Sequence, residues 1–270
     1  MKKLLVVTLE LCLLYSCSNN SETKPIESLP AKVPIINYTV VNYFPHDTSL
    51  FTEGLVVHKG QLYESTGSPE ELKQTKSLIG ITDLSTGKFS KKIELERTTY
   101  FGEGIVILND KLYQLTYKNK IGFIYDANSF KQIGKFSYPN AEGWSLTTDG
   151  TDLIMSDGSD RLTFLHPSNL QSYKSLMVTE NGVRLDKLNE LEFIKGFIYA
   201  NIWTTNYIVK IDPVTGKVVG KLDLGSISSE AKNKSRTADV LNGIAYDSVS
   251  DKIYVTGKLW SNIYQINFPH

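Results

Sequence analysis

The chain has 270 residues, with 29 basic and 29 acidic side chains that give a formal net charge of zero. Hydrophobic residues make up 41% of the sequence and charged residues 21%, which is the balance of an ordinary soluble globular protein. This neutral balance argues against nucleic-acid binding, which normally requires a basic excess. Both cysteines lie in the first 17 residues, so the rest of the sequence offers no intradomain disulfide, no cysteine-based zinc site and no catalytic thiol.

The first segment has the pattern of an export signal. Lys2 and Lys3 precede an apolar run over residues 4–14, which is too short to span a membrane stably. The run ends in Leu14-Tyr15-Ser16-Cys17, which resembles a bacterial lipobox, in which the cysteine is diacylated and becomes the mature N-terminus. The alternative is a plain signal peptide with an incidental cysteine. We expect residues 1–16 to be a lipoprotein signal peptide and Cys17 to be the lipidation site.

The next segment is predicted to be a tether. Residues 18–34 hold three prolines, few apolar side chains and no periodicity. Residues 17–35 are therefore predicted to be the lipidated cysteine and a disordered linker, followed by one folded domain over residues 36–270. We expect an exported bacterial lipoprotein that touches the membrane through its lipid anchor only and faces the periplasm or the cell exterior.

From residue 36 onward the chain repeats a short pattern. Five apolar segments, each next to a polar loop, have their central residues spaced by 50, 41, 45 and 55 positions; these central residues are Leu62, Leu112, Leu153, Ile198 and Ile253. Each is followed by a second apolar or alternating segment. In the first four units a turn rich in Asp, Asn, Ser, Pro and Gly and a further strand come next. Four strands in about 40–50 residues is the period of a β-propeller blade.

The fifth repeat lacks its last strand. It stops at Phe268, whereas residues 37–43 near the start of the domain resemble the fourth strands of the other units. An N-terminal strand that completes the last blade would close the ring and remove its open edges. We therefore predict an all-β, five-bladed propeller with four antiparallel strands per blade and no second domain. Residues 228–235 are the only segment that favours a short helix.

The repeat register also indicates a site. Two sets of equivalent positions flank the central residues, and in a propeller such positions form rings around the axis. Nine residues before the central positions, or eleven in the fifth unit because its turn is two residues longer, lie Glu53, Glu103, Trp144, Asn189 and Asn242. Five residues after them lie Gly67, Tyr117, Gly158, Trp203 and Lys258.

Each of these residues also has a simpler interpretation. The tryptophans could fill the core, the glutamates could be solvated, Lys258 could be a surface charge, and Asn189 and Asn242 could cap turns. Repeat positions that serve only packing, however, should hold similar apolar residues in every blade. The chemical variety at these positions favours a pocket.

Seven motifs distributed over all blades resemble one family. They are Phe51-Thr-Glu-Gly-Leu55, Phe101-Gly-Glu-Gly104, Glu142-Gly-Trp144, Asn189-Glu-Leu-Glu192, Ala200-Asn-Ile-Trp203, Leu241-Asn-Gly-Ile-Ala245 and Thr256-Gly-Lys-Leu-Trp260. In order, from about Tyr38 to Phe268, they resemble the plant-type glutaminyl-peptide cyclotransferases. That resemblance implies a five-bladed propeller that converts N-terminal glutamine of peptides or proteins into pyroglutamate and ammonia. It also implies that no cofactor and no catalytic zinc take part.

The resemblance implies roles for individual residues. Glu103 matches the catalytic acid/base, and its apolar neighbours should raise its pKa. The implied substrate-binding residues, aromatic walls first and polar groups after them, are Phe51, Phe101, Trp144, Trp203, Glu53, Asn189 and Lys258. Tyr117 and Asn242 join the substrate-binding set through their ring positions. Tyr117 stands where we expect the family to have Trp, so that wall is expected to be wetter. Glu53 stands where plant members have Gln, and we expect its carboxylate to bind the substrate amine.

Two other functions remain open on the sequence. One is a non-catalytic propeller that binds peptides or glycans, since propellers host many functions. The other is a metal-dependent propeller hydrolase, although the four histidines are scattered and no HExxH motif occurs. Asp157-Gly-Ser-Asp160 is more typical of a tight turn than of a calcium site. No glycine-rich phosphate loop precedes a helix, and we expect a monomer without metal or nucleotide.

Overall fold

The computed structural model describes residues 32–270. The predicted signal peptide, Cys17 and the tether up to residue 31 lie outside the described residues. Within residues 32–270, no helix is both long and apolar enough to span a bilayer.

The described chain folds into 22 strands and one helix. The strands are β1 (Thr39–Pro45), β2 (Thr52–His58), β3 (Gln61–Thr66), β4 (Leu78–Thr82), β5 (Phe89–Glu94), β6 (Gly102–Leu108), β7 (Lys111–Thr116), β8 (Ile121–Asp126), β9 (Gln132–Ser137), β10 (Ser145–Thr148), β11 (Leu153–Ser156), β12 (Arg161–Leu165), β13 (Ser172–Met177), β14 (Thr179–Glu180), β15 (Val183–Arg184), β16 (Leu188–Ile194), β17 (Phe197–Ile202), β18 (Tyr207–Ile211), β19 (Val218–Asp223), β20 (Leu241–Asp247), β21 (Lys252–Gly257) and β22 (Asn262–Asn267). The helix α1 spans Gly225–Lys234, between β19 and β20.

Five four-stranded antiparallel sheets confirm the predicted five-bladed propeller. Blade 1 is β2–β5, blade 2 is β6–β9, blade 3 is β10–β13, and blade 4 is β16–β19. Blade 5 has the order β20-β21-β22-β1, so the N-terminal strand supplies its outer edge. Strand β1 pairs antiparallel with β22 from Thr39 opposite Asn267 to Pro45 opposite Asn262. The closing strand thus runs over Thr39–Pro45, two residues later than the predicted 37–43.

Neighbouring blades pack face to face through apolar side chains. In the interface between blades 2 and 3, Val106 and Tyr113 share one buried cluster with Leu146 and Leu153. Alternation along the inner strands puts these side chains on the sheet faces, where each fully buried one contributes about 1.5–3 kcal/mol. The propeller is therefore held together by its blade-to-blade interfaces as well as by its hydrogen-bonded sheets.

Small residues let the innermost strands converge on the axis. Eight positions before the central repeat residues, or ten in blade 5, lie Gly54, Gly104, Ser145, Glu190 and Gly243. A Cβ atom on Gly54 would lie 2.9 Å from the Cα of Gly104, and one on Gly104 would lie 2.6 Å from the Cα of Ser145. Side chains at these glycines would force the strands apart. Glu190 is the one large residue of the set, and its side chain lies in the space that the small residues leave between the strands.

Glu190 cross-links the inner strands of three blades. One of its carboxyl oxygens accepts a hydrogen bond from the backbone N–H of Leu55 in blade 1, at 3.3 Å, and the other accepts one from Ile244 in blade 5, at 2.8 Å. Burial raises the pKa of Glu190 well above its usual range, and the charge of Glu192 adds to the shift. Glu190 is fully buried, so it acts inside the fold rather than on a ligand.

A buried charged network joins the closing strand to blade 1. His46, directly after β1, places Nε2 2.9 Å from Glu64 Oε1 and Nδ1 2.8 Å from the carbonyl oxygen of Trp260. Glu64 also accepts hydrogen bonds from Thr52 and Thr82, both at 2.8 Å. Because both imidazole nitrogens face acceptors, His46 is held as a cation beside a carboxylate.

Two local features differ from the sequence prediction. Helix α1 begins at Gly225 rather than at residue 228, and its buried Ile227 and Ala231 fix its inner face. The hairpin β14–β15 was not predicted, although its turn residues Asn181 and Gly182 are the favoured pair for a two-residue hairpin. Both adopt positive φ, 53° and 81°, as that turn requires.

Ordered contacts begin before the predicted domain boundary at residue 36. The N–H of Val33 donates to Asn181 Oδ1 at 3.1 Å, and the N–H of Ile36 donates to the carbonyl of Lys221 at 2.8 Å. The N–H of Lys221 in turn donates to the carbonyl of Pro34 at 3.0 Å. The last part of the predicted tether is therefore bound along β19 of blade 4.

Candidate active site

One cavity of about 570 Å³ lies where all five blades meet at one end of the ring. A volume of this size is within the usual range for a small-molecule or short-peptide site. It contains nine of the ten residues that the sequence predicts for the site: Phe51, Glu53, Phe101, Glu103, Tyr117, Trp144, Asn189, Trp203 and Lys258. Seven of these residues come from the repeat register, and Phe51 and Phe101 come from the family resemblance; the structure places all nine in the lining of one cavity.

Two glycines in the predicted rings make room for aromatic walls. A Cβ atom on Gly67 would lie 2.3 Å from the ring of Phe101, and one on Gly158 would lie 2.5 Å from the ring of Trp144. Gly158 also has a φ of +79°, which other residues rarely adopt. At each of these two repeat positions the glycine leaves space, and an aromatic side chain from an adjacent blade or strand fills it.

Glu103 presents an unpaired carboxyl group to the cavity. The residue is only 5% exposed, and within residues 32–270 no group donates a hydrogen bond to its side chain. Burial raises the pKa of Glu103 well above its usual range, the charge of Glu53 raises it further, and the charge of Lys258 opposes the shift. The carboxyl oxygens of Glu103 are not among the enclosed polar atoms that lack a partner, so they face the space of the cavity. A carboxyl group with a raised pKa that faces a cavity is typical of a group kept for chemistry.

Glu53 and Lys258 form a buried ion pair beside Glu103. The Nζ atom of Lys258 lies 2.7 Å from Oε1 and 2.6 Å from Oε2 of Glu53, and the two residues are 6% and 2% exposed. Nζ also lies 4.4 Å from the ring centre of Phe51. Burial raises the pKa of Glu53 and Lys258 opposes the shift. We expected this carboxylate to bind the substrate amine, but the structure gives both of its oxygens to Lys258.

Aromatic side chains form the walls. Trp144 and Trp203 meet edge to face, with ring centres 5.5 Å apart and an interplanar angle of 82°. Phe101 and Tyr117 also line the cavity, with ring centres 5.8 Å apart. Trp203 is 40% exposed, so it does not fill the core. The indole N–H of Trp144 donates to Glu142 at 2.9 Å, which fixes the orientation of that ring.

The two asparagines have different positions. Asn189 lines the cavity, and in the described part of the chain its side-chain amide has no hydrogen-bond partner. Asn242 is fully buried and lies outside the lining. Its Nδ2 donates to the carbonyl of Thr52 at 2.9 Å and lies 3.5 Å from a Glu53 oxygen. Asn189 is thus available to a ligand, whereas Asn242 positions the strand that carries Glu53.

Several lining residues were missed by the sequence analysis. Ser68, Pro69, Glu70 and Glu71 belong to the loop over residues 67–77, and Asp239 precedes β20. The equivalent loop has four residues in the other blades, namely 117–120, 157–160, 203–206 and 258–261, and eleven in blade 1. This extra length is visible in the sequence as a longer gap after the first repeat segment. It marks an insertion, and it could have identified these residues.

Possible metal ligands are dispersed. No three His, Cys, Asp or Glu side chains within residues 32–270 are grouped as ligands for an ion. The Asp157–Asp160 segment forms a turn in which Asp157 Oδ1 accepts hydrogen bonds from the N–H and hydroxyl of Ser159, and Asn140 donates to Oδ2 at 2.7 Å. Both oxygens of the Asp157 carboxylate therefore already accept hydrogen bonds from neighbouring protein groups.

The fold and the cavity define a β-propeller with a binding and reaction site on its axis, centred on one unpaired buried glutamate. The chain belongs to the glutamine cyclotransferase family, whose model matches residues 8–268. It is 38% identical to the glutaminyl-peptide cyclotransferase of Arabidopsis thaliana over 229 residues, which cover 84% of this chain and 70% of that protein. It is also similar to the crystal structure of glutaminyl cyclase from Myxococcus xanthus, with a TM-score of 0.80, 31% identity, and coverage of 88% of this chain and 98% of the other. These findings confirm the family resemblance of the motifs.

Proposed function

We propose that this enzyme converts N-terminal glutaminyl peptides into pyroglutamyl peptides and releases ammonia. The observation that carries the proposal is the unpaired, buried carboxyl of Glu103 on the floor of an aromatic cavity, in a chain of the glutamine cyclotransferase family. A site built for binding alone does not need a carboxyl group with a raised pKa that is free of protein partners and faces the centre of the cavity.

The reaction is intramolecular, so orientation supplies much of the rate. The substrate α-amine attacks its own side-chain carbonyl, a C–N bond forms, and collapse of the tetrahedral intermediate breaks the bond to the amide nitrogen, which leaves as ammonia. Holding the two groups in the reactive geometry can be worth an effective molarity of about 10⁵ M or more. The aromatic pairs of Trp144 with Trp203 and Phe101 with Tyr117 supply the walls that restrict the glutamine side chain.

Glu103 moves the proton. The amine must lose a proton as it attacks, and the leaving nitrogen must gain one before it departs. One carboxyl group near both nitrogens can accept the first proton and donate it to the second. The raised pKa of Glu103 suits both steps near neutral pH. No step in this scheme requires a metal ion or a cofactor.

Asn189 is the best placed donor to the developing oxyanion. Its amide is buried, lines the cavity and is free of other hydrogen bonds in the described chain. Lys258 instead contacts both Glu53 oxygens and so keeps the charge next to Glu103 balanced. We assign Asn189 to the substrate carbonyl and the Glu53–Lys258 pair to the electrostatics of Glu103.

The test is ammonia release from Gln-Ala-Ala-amide by purified wild type, Glu103→Gln and the control Glu230→Gln. Glu230 is exposed on α1, 2.7 Å from Lys234, and is remote from the lining. We expect the wild type and Glu230→Gln to release ammonia with or without EDTA, and Glu103→Gln to fold normally and release none. Near-wild-type turnover by Glu103→Gln would contradict the role of Glu103. No ammonia from several Gln peptides would favour a non-catalytic binder instead.

We also propose that the protein is exported as a lipoprotein. The support is the sequence pattern alone, in which a short apolar signal ends at Cys17 and is followed by a proline-rich tether. Cys17→Ala should abolish the incorporation of a labelled fatty acid into the protein in the producing cells, without loss of catalytic activity. Labelling of that variant at the wild-type level would exclude Cys17 as the lipidation site.

A further inference from the structure

The insertion in blade 1 is held in place over the cavity mouth. The side chain of Arg97 donates to the carbonyls of Pro69, at 2.7 Å, and Leu72, at 3.3 Å, and also to that of Thr75. Within the loop, the N–H of Leu72 donates to the carbonyl of Pro69 at 3.1 Å. A loop whose carbonyls are bound by a guanidinium has a defined conformation.

This loop and the segment before blade 5 make the mouth acidic. Glu70, Glu71 and Asp239 line the cavity and are exposed, whereas Glu103 lines it and is 5% exposed. The exposed residues therefore surround the opening, and Glu103 lies on the floor. We call Glu70, Glu71 and Asp239 the acidic rim. In the described part of the chain no basic group lies within ion-pair distance of their carboxylates.

The two lysines that line the cavity, Lys118 and Lys258, are each paired with a carboxylate, and Lys187 lies nearby with its Nζ atom 5.9 Å from the ring centre of Trp203. Lys118 lines the cavity, but its Nζ lies 3.8 Å from Glu142 and 4.5 Å from the ring centre of Tyr117. Because Glu70, Glu71 and Asp239 have no such partner, the residues that line the mouth carry an excess of negative charge. The unpaired carboxyl of Glu103, buried and facing into the cavity, independently marks where the reacting end of a ligand is held.

We propose that the blade 1 loop and Asp239 select substrates by the charge of the residue after the glutamine, favouring Lys or Arg and disfavouring Asp or Glu. The inference rests on the proposed function, because it places the glutamine at Glu103. When the substrate glutamine is held at Glu103 on the cavity floor, the next residue of the peptide extends through the opening and lies next to the acidic rim. Exposed carboxylates attract or repel it in high dielectric, so each contributes a few-fold and the set contributes about ten-fold between a basic and an acidic residue.

The test compares kcat/KM for Gln-Lys-Ala-amide, Gln-Ala-Ala-amide and Gln-Glu-Ala-amide. For the wild type we expect a Lys-to-Glu ratio of about ten at low ionic strength, which shrinks in 0.5 M NaCl because salt screens exposed charges. In Glu70→Gln/Glu71→Gln the ratio should fall several-fold, and Asp239→Asn should lower it independently. The control Glu230→Gln should keep the wild-type ratio. Comparing ratios between variants cancels the intrinsic reactivity of each peptide.

The outcomes separate the two proposals. Turnover of all three peptides with a ratio near one, or a ratio that neither the double variant nor Asp239→Asn changes, overturns the charge selection and leaves the cyclotransferase function in place. No ammonia from Gln-Ala-Ala-amide or either charged peptide overturns the proposed function itself, and the charge selection with it.

Discussion

Removing the imidazole of His46 should cost far more stability than removing that of an exposed histidine. The His46 side chain and its partner Glu64 are both fully buried, 2.9 Å apart, and the other ring nitrogen is bound to the Trp260 carbonyl. His46→Ala leaves a carboxylate in the interior with only the hydroxyls of Thr52 and Thr82 as donors. Breaking a buried pair in this way costs about 3–5 kcal/mol, which corresponds to a fall in Tm of about 10 °C for a domain of this size.

His166 provides a matched control. It also contacts a carboxylate, with Nδ1 3.3 Å from Asp152, but its side chain is 48% exposed. His166→Ala should therefore cost no more than about 1 kcal/mol. The measurement is urea unfolding followed by tryptophan fluorescence, with the midpoints of both variants compared at equal m values. Equal losses in the two variants would refute the claim that burial of the pair, rather than the pair itself, sets the cost.

The stability that the His46–Glu64 pair contributes should also depend on pH. Burial lowers the pKa of His46, but the charge and hydrogen bond of Glu64 and the Trp260 carbonyl outweigh it and raise the pKa above 6.5. Its stabilisation is therefore complete below pH 6.5 and is lost as the pH rises through the folded value. Burial alone would raise the pKa of Glu64, but His46 and two threonines lower it below 4.5, so its contribution is lost in acid. The difference between wild type and His46→Ala should be largest between pH 4.5 and 6.5.

Three further predictions concern the axis and the cavity. Burial raises the pKa of Glu192 to about 8, so wild-type stability should fall between pH 4.5 and 8, and Glu192→Gln should flatten that decline in Tm measured against pH. Asn189→Ala should lower kcat about 10²- to 10³-fold with little change in Tm if its amide donates to the oxyanion; a change confined to KM would assign it to ground-state binding instead. Gly158→Ala places a methyl group 2.5 Å from Trp144 and should raise KM for a Gln peptide, and an unchanged KM would show that this wall does not contact substrate.

The propeller could be predicted because its information is local and repeated. Alternating apolar segments such as those around Leu112 and Leu153 recur with similar loops, so the period defines the blades and the spacing defines the rings. Seven of the predicted site residues line one cavity for the same reason, and two more, Phe51 and Phe101, were predicted from the family resemblance. The missing fourth strand of blade 5 also pointed to its replacement by β1.

The remaining features depend on contacts between distant residues. Register places Asn242 in the ring but does not show that its amide is used by the carbonyl of Thr52, 190 residues away. Nothing local distinguishes Glu190, which bridges blades, from a catalytic carboxylate in the same motif. The partner of Glu53 is Lys258, 205 residues later, so its availability to substrate could not be judged from either segment. Such pairings between distant residues can be identified only from the folded propeller and not from the sequence of either segment.

Closure by β1 also orders events during synthesis. The strand Thr39–Pro45 is among the first parts of the propeller to leave the ribosome, yet its partner Asn262–Asn267 is the last of the propeller's strands to be made. Contacts so distant in sequence form slowly, because the intervening chain must be organised first. Until then the nascent chain carries β1 as an unpaired strand that can add to the sheet edge of another molecule. A ribosome that stalls before residue 262 thus leaves a chain with four complete blades, an unpaired β1 and an unpaired edge on β21, both open to association with other copies.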